Sequence, residues 1–215
     1  MDFLYLGIVF GVILVSMTLH EAMHAFAGYW LGDDTAKLEG RLTLNPLKHI
    51  DPFLTILLPL MLALIGAPIF GGAKPVPFRP DMVRWGDWGS AILALAGPLT
   101  NLFLAFIAFG IGVLTGIITN EGIRVDAIGT VISAFVIVNL GFFVFNMLPI
   151  PPLDGSRALY AIAPEFVRTA MRAIERAGLV VIFAIVLLAG SFLGTYMSTA
   201  VDFLLGLFQA IFRLS

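Results

Sequence analysis

Long runs of apolar residues dominate this sequence, and they restrict its fold more than any other feature. No charged residue occurs between Phe3 and Leu19, and uncharged runs recur at residues 89–118, 127–148 and 179–192. Charged residues make up 12% of the chain, against about 25% in a typical soluble domain. A helix needs about 20 apolar residues to cross a bilayer. The pattern therefore predicts an all-α polytopic membrane protein.

We expect a helical bundle of about five or six membrane segments, forming a single membrane-embedded domain over residues 1–215. The distinctive motifs fall in a core of about residues 3–160, and C-terminal helices follow at 161–215. The last apolar stretch, Val201–Phe212, fits either a span or an interfacial helix. A net charge of −2 gives no reason to expect a nucleic-acid partner, so the expected surroundings are the lipid bilayer.

Two segments depart from the pattern of full spans. The apolar stretch at residues 52–67 is short and contains Pro59, so we expect a re-entrant segment there rather than a crossing. Arg41–Leu44 alternates polar and apolar residues, which predicts a short strand-like segment.

The first apolar run contains an H-E-x-x-H motif formed by His20, Glu21 and His24. Residues four apart lie on one face of a helix, so the two imidazoles can bind one metal ion while Glu21 handles a proton beside it. Ionisable groups inside a span are costly and usually functional. The motif predicts a zinc hydrolase site at membrane depth, with zinc inferred from the ligand type.

Catalytic zinc usually has three protein ligands and a water molecule, so a third ligand must come from elsewhere. The chain has no cysteine, which leaves His49 and the acidic residues. Asp154 directly follows an apolar run, lies in a proline-rich break and precedes a glycine that permits close backbone approach. We predict that Asp154 joins His20 and His24 on one zinc ion, and that His49 lies at the membrane interface.

The expected chemistry assigns Glu21 as the general base that takes a proton from a zinc-activated water. Asn146 lies eight residues before Asp154, about two turns up the same helix if that helix is regular. Asn146 is therefore a candidate for binding an extended substrate backbone. Asn101 and Asn139 are expected to serve helix packing, and Gly97-Pro98 is expected to provide a kink or a close contact.

Basic residues indicate the topology. Segments 33–51, 68–88 and 156–176 hold ten of the 12 lysines and arginines. If all three segments are cytoplasmic, the positive-inside rule is obeyed and residues 52–67 enter and leave on one side. The first span and the 127–148 span are then parallel, with their C-terminal halves near the cytoplasmic face.

The motifs together make the sequence similar to the site-2 protease family of intramembrane zinc metalloproteases. The likeness is to the compact bacterial and archaeal subgroup without PDZ or CBS domains. It covers roughly residues 16–160 and rests on the H-E-x-x-H motif followed, in the family's order, by Gly40–Pro46, His49–Pro52, Ala73–Pro77, Gly97–Asn101 and Asn146–Gly155.

The resemblance implies that His20, His24 and Asp154 bind zinc, that Glu21 is the catalytic base and that Asn146 takes part in substrate binding. It also implies cleavage of transmembrane segments of other proteins in a prokaryotic cytoplasmic membrane. A helical carbonyl is already hydrogen-bonded, so a substrate helix must unwind. We expect residues 41–44, or a neighbouring loop, to pair with the extended substrate.

Two other functions compete with the protease. A membrane transporter also binds ions at membrane depth, but it has no need of a carboxylate placed as Glu21 is. A catalytically inactive scaffold that binds helices would not need the intact set of four residues. The protease is therefore the leading hypothesis.

Overall fold

The computed structural model describes residues 3–57, 61 and 72–214, and its architecture is helical. The α-helices within these ranges are α1 (Phe3–Trp30), α2 (Thr35–Leu38), α3 (Asp87–Leu114), α4 (Ala127–Asn146), α5 (Asp154–Ile162), α6 (Glu165–Ala177), α7 (Leu179–Leu188) and α8 (Gly190–Phe212). The remaining elements are a 3₁₀ turn at Pro46–Lys48, a wide helical turn at Pro52–Leu57, and strands β1 (Ile118–Thr119) and β2 (Gly122–Ile123) between α3 and α4.

Four of these helices, α1, α3, α4 and α8, are long and apolar enough to cross a membrane. This finding confirms the predicted all-α membrane protein. The apolar run at 179–192 divides between α7, which has 10 residues, and the start of α8. A crossing needs about 20 residues, so α7 is too short to span alone. The stretch at 201–212 is the second half of α8.

Helices α1 and α3 are antiparallel neighbours. The Nδ1 atom of His20 lies 2.6 Å from the amide oxygen of Asn101. One turn further along α1, His24 reaches back to the carbonyl of Leu93, at 2.9 Å. Later residues of α1 thus meet earlier residues of α3.

Helices α1 and α4 are parallel, as the predicted topology requires. The amide of Asn139, in the middle of α4, donates to the hydroxyl of Ser16 on α1 over 2.8 Å. Beyond the end of α4, Asp154 lies against His20, one turn further along α1. The two helices therefore advance in the same direction.

The central position of α3 follows from its small residues. Without large side chains, neighbouring helix backbones can approach closely in a membrane. The buried small residues of α3 include Gly89, Ser90, Ala91, Ala94, Gly97, Ala105 and Ala108. At the far end of the bundle, Phe109 of α3, Leu140 of α4 and Phe208 of α8 pack into one apolar cluster.

The predicted strand at residues 41–44 is wrong, because this stretch forms a compact turn. The N–H of Arg41 donates to Ala36 over 2.7 Å, and the N–H of Thr43 donates back to Arg41 over 3.0 Å. Local carbonyls thus satisfy these donors, whereas a strand needs a neighbour to accept them. Most of the predicted re-entrant stretch at 52–67 lies outside the residues that the structure describes, which include only 52–57 and Met61 of it.

The three basic segments gather at one end of the bundle. The N–H of Arg79 donates to the carboxylate of Asp33 over 2.7 Å, which joins the second segment to the first. Arg168 of the third segment pairs with Asp87 at the start of α3, at 2.8 Å. This end holds the C-terminus of α1 and the N-terminus of α3.

Candidate metal centre

Three side chains converge where α1, α3 and α5 meet. The Nε2 atoms of His20 and His24 are 3.0 Å apart. The Oδ2 atom of Asp154 lies 3.2 Å from the first of them and 3.3 Å from the second. Within the parts of the chain that the structure describes, this is the group of histidine and carboxylate side chains that could hold a metal ion.

Local structure explains how the three side chains reach one point. His20 and His24 lie one turn apart on α1, so their rings project from the same face. Asp154 is the first residue of α5. Helix α4 ends at Asn146, and residues 147–153, with a cis peptide bond between Pro151 and Pro152, turn the chain back towards α1. The condition of one regular helix from Asn146 to Asp154 is not met, because the expected proline-rich break separates them.

The outer nitrogen of each ring has its own partner. The carbonyl of Leu93 can only accept, so the Nδ1 atom of His24 must carry the proton in their 2.9 Å hydrogen bond. In the neutral ring, Nε2 then presents a bare lone pair. His20 makes the corresponding contact through Nδ1 with the amide oxygen of Asn101. Such contacts hold metal-binding histidines in a fixed orientation.

The donor set fits a zinc ion. The Oδ2 atom of Asp154 is buried and has no hydrogen-bond partner, although it faces the lone pair of His24. Such facing lone pairs repel one another unless a cation lies among them. Ligand atoms at about 2.0–2.1 Å from a tetrahedral zinc ion lie about 3.3 Å apart. The observed separations of 3.0, 3.2 and 3.3 Å match this value.

Two glycines permit close packing around this cluster, one against the histidine rings and one within the turn that leads to Asp154. A Cβ atom on Gly97 of α3 would lie 2.3 Å from Nε2 of His24 and 2.7 Å from the ring of His20. A Cβ atom on Gly155 would lie 2.4 Å from the carbonyl oxygen of Met147. The close approach expected at both glycines is therefore observed.

Glu21 lies beside the cluster and is held by a loop. Its Oε2 atom accepts a 2.9 Å hydrogen bond from the backbone N–H of Val76. Val76 belongs to the 72–79 loop, the irregular segment that precedes α3. The carboxylate thus has a partner outside the three converging side chains.

Buried polar groups anchor the 72–79 loop. The guanidinium of Arg41 donates to the carbonyl of Lys74 over 2.6 Å, and the N–H of Lys74 donates to the carbonyl of His49 over 2.9 Å. His49 lacks the exposed side chain expected of an interfacial residue, since that side chain is fully buried and bonds the carbonyl of Thr43. Its contact with the loop is made by its backbone carbonyl.

Asn146 ends α4 next to the turn that leads to Asp154. Its amide donates to the carbonyl of Phe142 over 3.0 Å, a hydrogen bond within α4. The structure therefore brings His20, His24 and Asp154 together, with Glu21 beside them. The contact found for Asn146 lies in its own helix.

Sequence reasoning missed three partners of these side chains: the carbonyl of Leu93, the amide of Asn101 and the backbone N–H of Val76. A backbone carbonyl leaves no signal in the residue type, so Leu93 was not recognisable. Asn101 is a lone amide in an apolar span, which signals a buried hydrogen bond. Val76 lies between two prolines, which have no N–H, so it is the donor that this stretch can offer.

Comparison with known proteins gives a consistent result. The family described as "Peptidase family M50" matches residues 111–190. "Putative zinc metalloprotease YwhC" of Bacillus subtilis is 40% identical over 205 residues, covering 94% of this chain and 90% of its own length. So few residues of this chain lie outside that alignment that both His20 and Asp154 must lie within it.

Two further relatives share parts of the chain. "Putative zinc metalloprotease Rip2" of Mycolicibacterium smegmatis is 37% identical over 159 residues, which are 72% of this chain and 58% of the relative. "Putative zinc metalloprotease MJ0611" of Methanocaldococcus jannaschii is 48% identical over 67 residues, 31% of each chain. No solved structure matches the chain at a significant level.

Proposed function

The chain belongs to peptidase family M50, the site-2 protease family, and is a metalloprotease; from this premise we propose that it is a zinc endopeptidase that cleaves transmembrane segments of other proteins within the membrane. The observation that carries the proposal is the convergence of His20, His24 and Asp154 with Glu21 beside them. This set lies between helices long enough to span a bilayer. A peptidase placed there acts on peptide bonds at membrane depth.

Each side chain has a part in the proposed hydrolysis. His20, His24 and Asp154 hold one zinc ion, which when bound lowers the pKa of a coordinated water to about 7 and polarises a carbonyl. Glu21 takes one proton as the water oxygen bonds to the scissile carbon. It delivers that proton to the amide nitrogen as the carbon–nitrogen bond breaks. Asn146 binds the extended substrate backbone near the scissile bond.

The substrate must present its peptide bond in an unwound form, because helical carbonyls are already hydrogen-bonded. We propose that the 72–79 loop, the neighbouring alternative to residues 41–44, receives the unwound segment by backbone pairing. Pro75 and Pro77 favour extended backbone at the residues before them. The loop already reaches Glu21 through Val76, so a strand beside it would lie at the site.

The proposed orientation places the site near the cytoplasmic face of a prokaryotic cytoplasmic membrane. The three basic segments lie at the same end of the bundle as His20, His24 and Asp154. Cytoplasmic ends of membrane proteins carry an excess of lysine and arginine. Water then reaches the site from the cytoplasm.

The test is reconstitution of the purified chain in detergent with a model transmembrane substrate. Cleavage and zinc content are measured for the wild type, Glu21→Gln and Asp154→Asn. We expect Glu21→Gln to keep zinc and lose cleavage by about 10²–10⁴-fold, the usual contribution of a general base. Asp154→Asn should lose affinity for zinc.

Two exposed acidic residues provide matched controls, Glu39→Gln for the base and Asp81→Asn for the ligand. Both should leave cleavage and zinc content as in the wild type. Cleavage that persists in Glu21→Gln would overturn the mechanism. Zinc content that is unchanged in Asp154→Asn would overturn the proposed ligand set.

A further inference from the structure

A series of buried hydrogen bonds leads from α4 to the candidate metal site formed by His20, His24 and Asp154. The amide of Asn139 donates to the carbonyl of Phe135 over 2.8 Å. The amide nitrogen of Asn101 donates to the amide oxygen of Asn139, also over 2.8 Å. The amide oxygen of Asn101 then meets Nδ1 of His20 at 2.6 Å. Both asparagine side chains are fully buried.

The donor-to-acceptor direction of these hydrogen bonds is set at their α4 end, at Asn139. A backbone carbonyl only accepts hydrogen bonds, so the atom of Asn139 that faces Phe135 must be the NH₂ group. The same NH₂ group donates to the hydroxyl of Ser16 over 2.8 Å. The amide oxygen of Asn139 therefore points the other way, towards Asn101.

The orientation of Asn139 fixes that of Asn101, which in turn fixes the tautomer of His20. Asn101 must turn its NH₂ group to the oxygen of Asn139, which leaves its own oxygen for His20. An oxygen at this position accepts a hydrogen bond from Nδ1–H, so the neutral ring carries its proton on Nδ1. The Nε2 atom of His20 is consequently bare and available to a metal ion.

The opposite direction would be incompatible with metal binding. An NH₂ group turned to His20 would place the ring proton on Nε2, where it would point into the cluster. That reversal would also set the oxygen of Asn101 against the oxygen of Asn139. Unpaired buried polar groups destabilise a fold, so the observed direction is the stable one.

We propose that Asn101 and Asn139 are positioning residues for the metal ligand His20, and that Asn139 acts on it only through Asn101. The inference rests on the zinc ligands of the proposed function. It gives Asn139, which lies on α4 and does not touch the zinc ligands, an indirect effect on zinc affinity. The two asparagines thus do more than hold helices together.

The test measures zinc affinity by competition with a chromophoric chelator, on the purified chain without substrate. Outer partners of metal ligands typically contribute 10–100-fold to metal affinity. We expect Asn101→Leu to weaken zinc binding by roughly that amount. Asn139→Leu should weaken it less, by about tenfold at most, because the amide of Asn101 remains and its NH₂ group keeps only the longer 3.4 Å contact with the carbonyl of Ser16.

Two combinations separate positioning from packing. The double variant Asn101→Leu/Asn139→Leu should bind zinc as Asn101→Leu does, since Asn139 acts through Asn101; two independent packing defects would instead multiply their effects. Asn101→Asp in the Asn139→Leu background places an acceptor-only carboxylate against His20, which needs no neighbour to set its direction, and removes the Asn139 oxygen that the second carboxylate oxygen would otherwise face. This double variant should bind zinc more tightly than Asn101→Leu/Asn139→Leu.

Thr130→Val is the matched control, because Thr130 lies on the same helix and bonds the carbonyl four residues earlier, as Asn139 does. Its zinc affinity should equal that of the wild type. Thermal unfolding of the zinc-free chain verifies folding, and Asn139→Ala replaces the leucine variant if that variant is unfolded.

Equal zinc affinity in Asn139→Leu and the wild type would overturn the inference, and so would independent losses in the double variant. A His20→Ala variant that binds zinc as tightly as the wild type would instead overturn the ligand set. The two failures are therefore distinguishable.

Discussion

The carboxylate of Glu21 and the backbone N–H of Val76 are joined by a 2.9 Å hydrogen bond across two distant parts of the chain. Glu21 is on α1, and Val76 lies between two prolines in the 72–79 loop. Prolines have no N–H, so Val76 alone can supply this donor from residues 75–77. The general base proposed for the reaction is therefore oriented by a loop outside its own helix.

Val76→Pro removes this donor while keeping an apolar residue. We expect kcat to fall by roughly 10- to 100-fold, less than the whole contribution of a general base, because Glu21 remains but is no longer oriented. Zinc content should stay at the wild-type level. Cleavage kinetics and metal analysis on the same preparation provide the measurement.

Val76→Ala is the control for that variant, because alanine keeps the N–H and loses only side-chain atoms. It should cleave at nearly the wild-type rate. Equal kcat in Val76→Pro and Val76→Ala would show that the hydrogen bond is dispensable.

Gly97→Ala should release zinc. Its new methyl group would lie 2.3 Å from Nε2 of His24, so the ring must move away from the cluster. We expect zinc affinity to drop at least about tenfold, although alanine favours a helix over glycine by about 1 kcal/mol. Gly141→Ala on α4, where a methyl group meets nothing within 4 Å, should bind zinc normally. Tight zinc binding by Gly97→Ala would contradict the packing described for this site.

Gly155→Ala should destabilise the turn that presents Asp154. The added methyl group would lie 2.4 Å from the carbonyl oxygen of Met147, and backbone yields less easily than a side chain. Overpacking of this kind costs about 1–3 kcal/mol, so the melting temperature and zinc affinity should both fall. Gly194→Ala, with open space around it, is the comparison. An unchanged melting temperature in Gly155→Ala would refute the expectation.

Cysteine labelling tests the proposed orientation, because the natural chain has no cysteine. Glu39→Cys lies at the end of the bundle that carries the metal cluster, and Glu121→Cys lies in the β1–β2 hairpin at the other end. A membrane-impermeant maleimide should label Glu121→Cys in right-side-out vesicles and Glu39→Cys only in inverted ones. The reverse labelling pattern would place the site on the outer side.

Some features could be predicted because neighbours in the chain determine them. His20 and His24 share a face through the helical repeat alone, and long apolar runs require helices in a bilayer. The expected proximity of Asp154 to the two histidines came from the ligand number of zinc and from the glycine after it. The structure adds one observation that the sequence could not supply: the Oδ2 atom of Asp154 is buried and has no hydrogen-bond partner.

Other features could not be predicted, because distant residues decide them. The alternation at residues 41–44 suggested a strand, yet the N–H of Arg41 finds the carbonyl of Ala36 nearby. Polarity suggested an exposed, interfacial side chain for His49, yet its ring is buried and bonds the carbonyl of Thr43, while its own carbonyl accepts from the N–H of Lys74. In both cases a local pattern was overridden by where backbone hydrogen bonds could be made.

Apolar runs and motif spacing were enough to establish that this chain is a helical membrane protein whose first span carries a pair of histidines and a carboxylate in metalloprotease spacing. Periodicity and solvent preference act over a few residues, so they can be read without coordinates. The folded structure was needed to establish which groups face the Nδ1 atoms of those histidines and which loop holds Glu21. Those choices depend on the packing of α1 against α3 and α4, where a donor and an acceptor far apart in the chain meet and the direction of each hydrogen bond constrains the next.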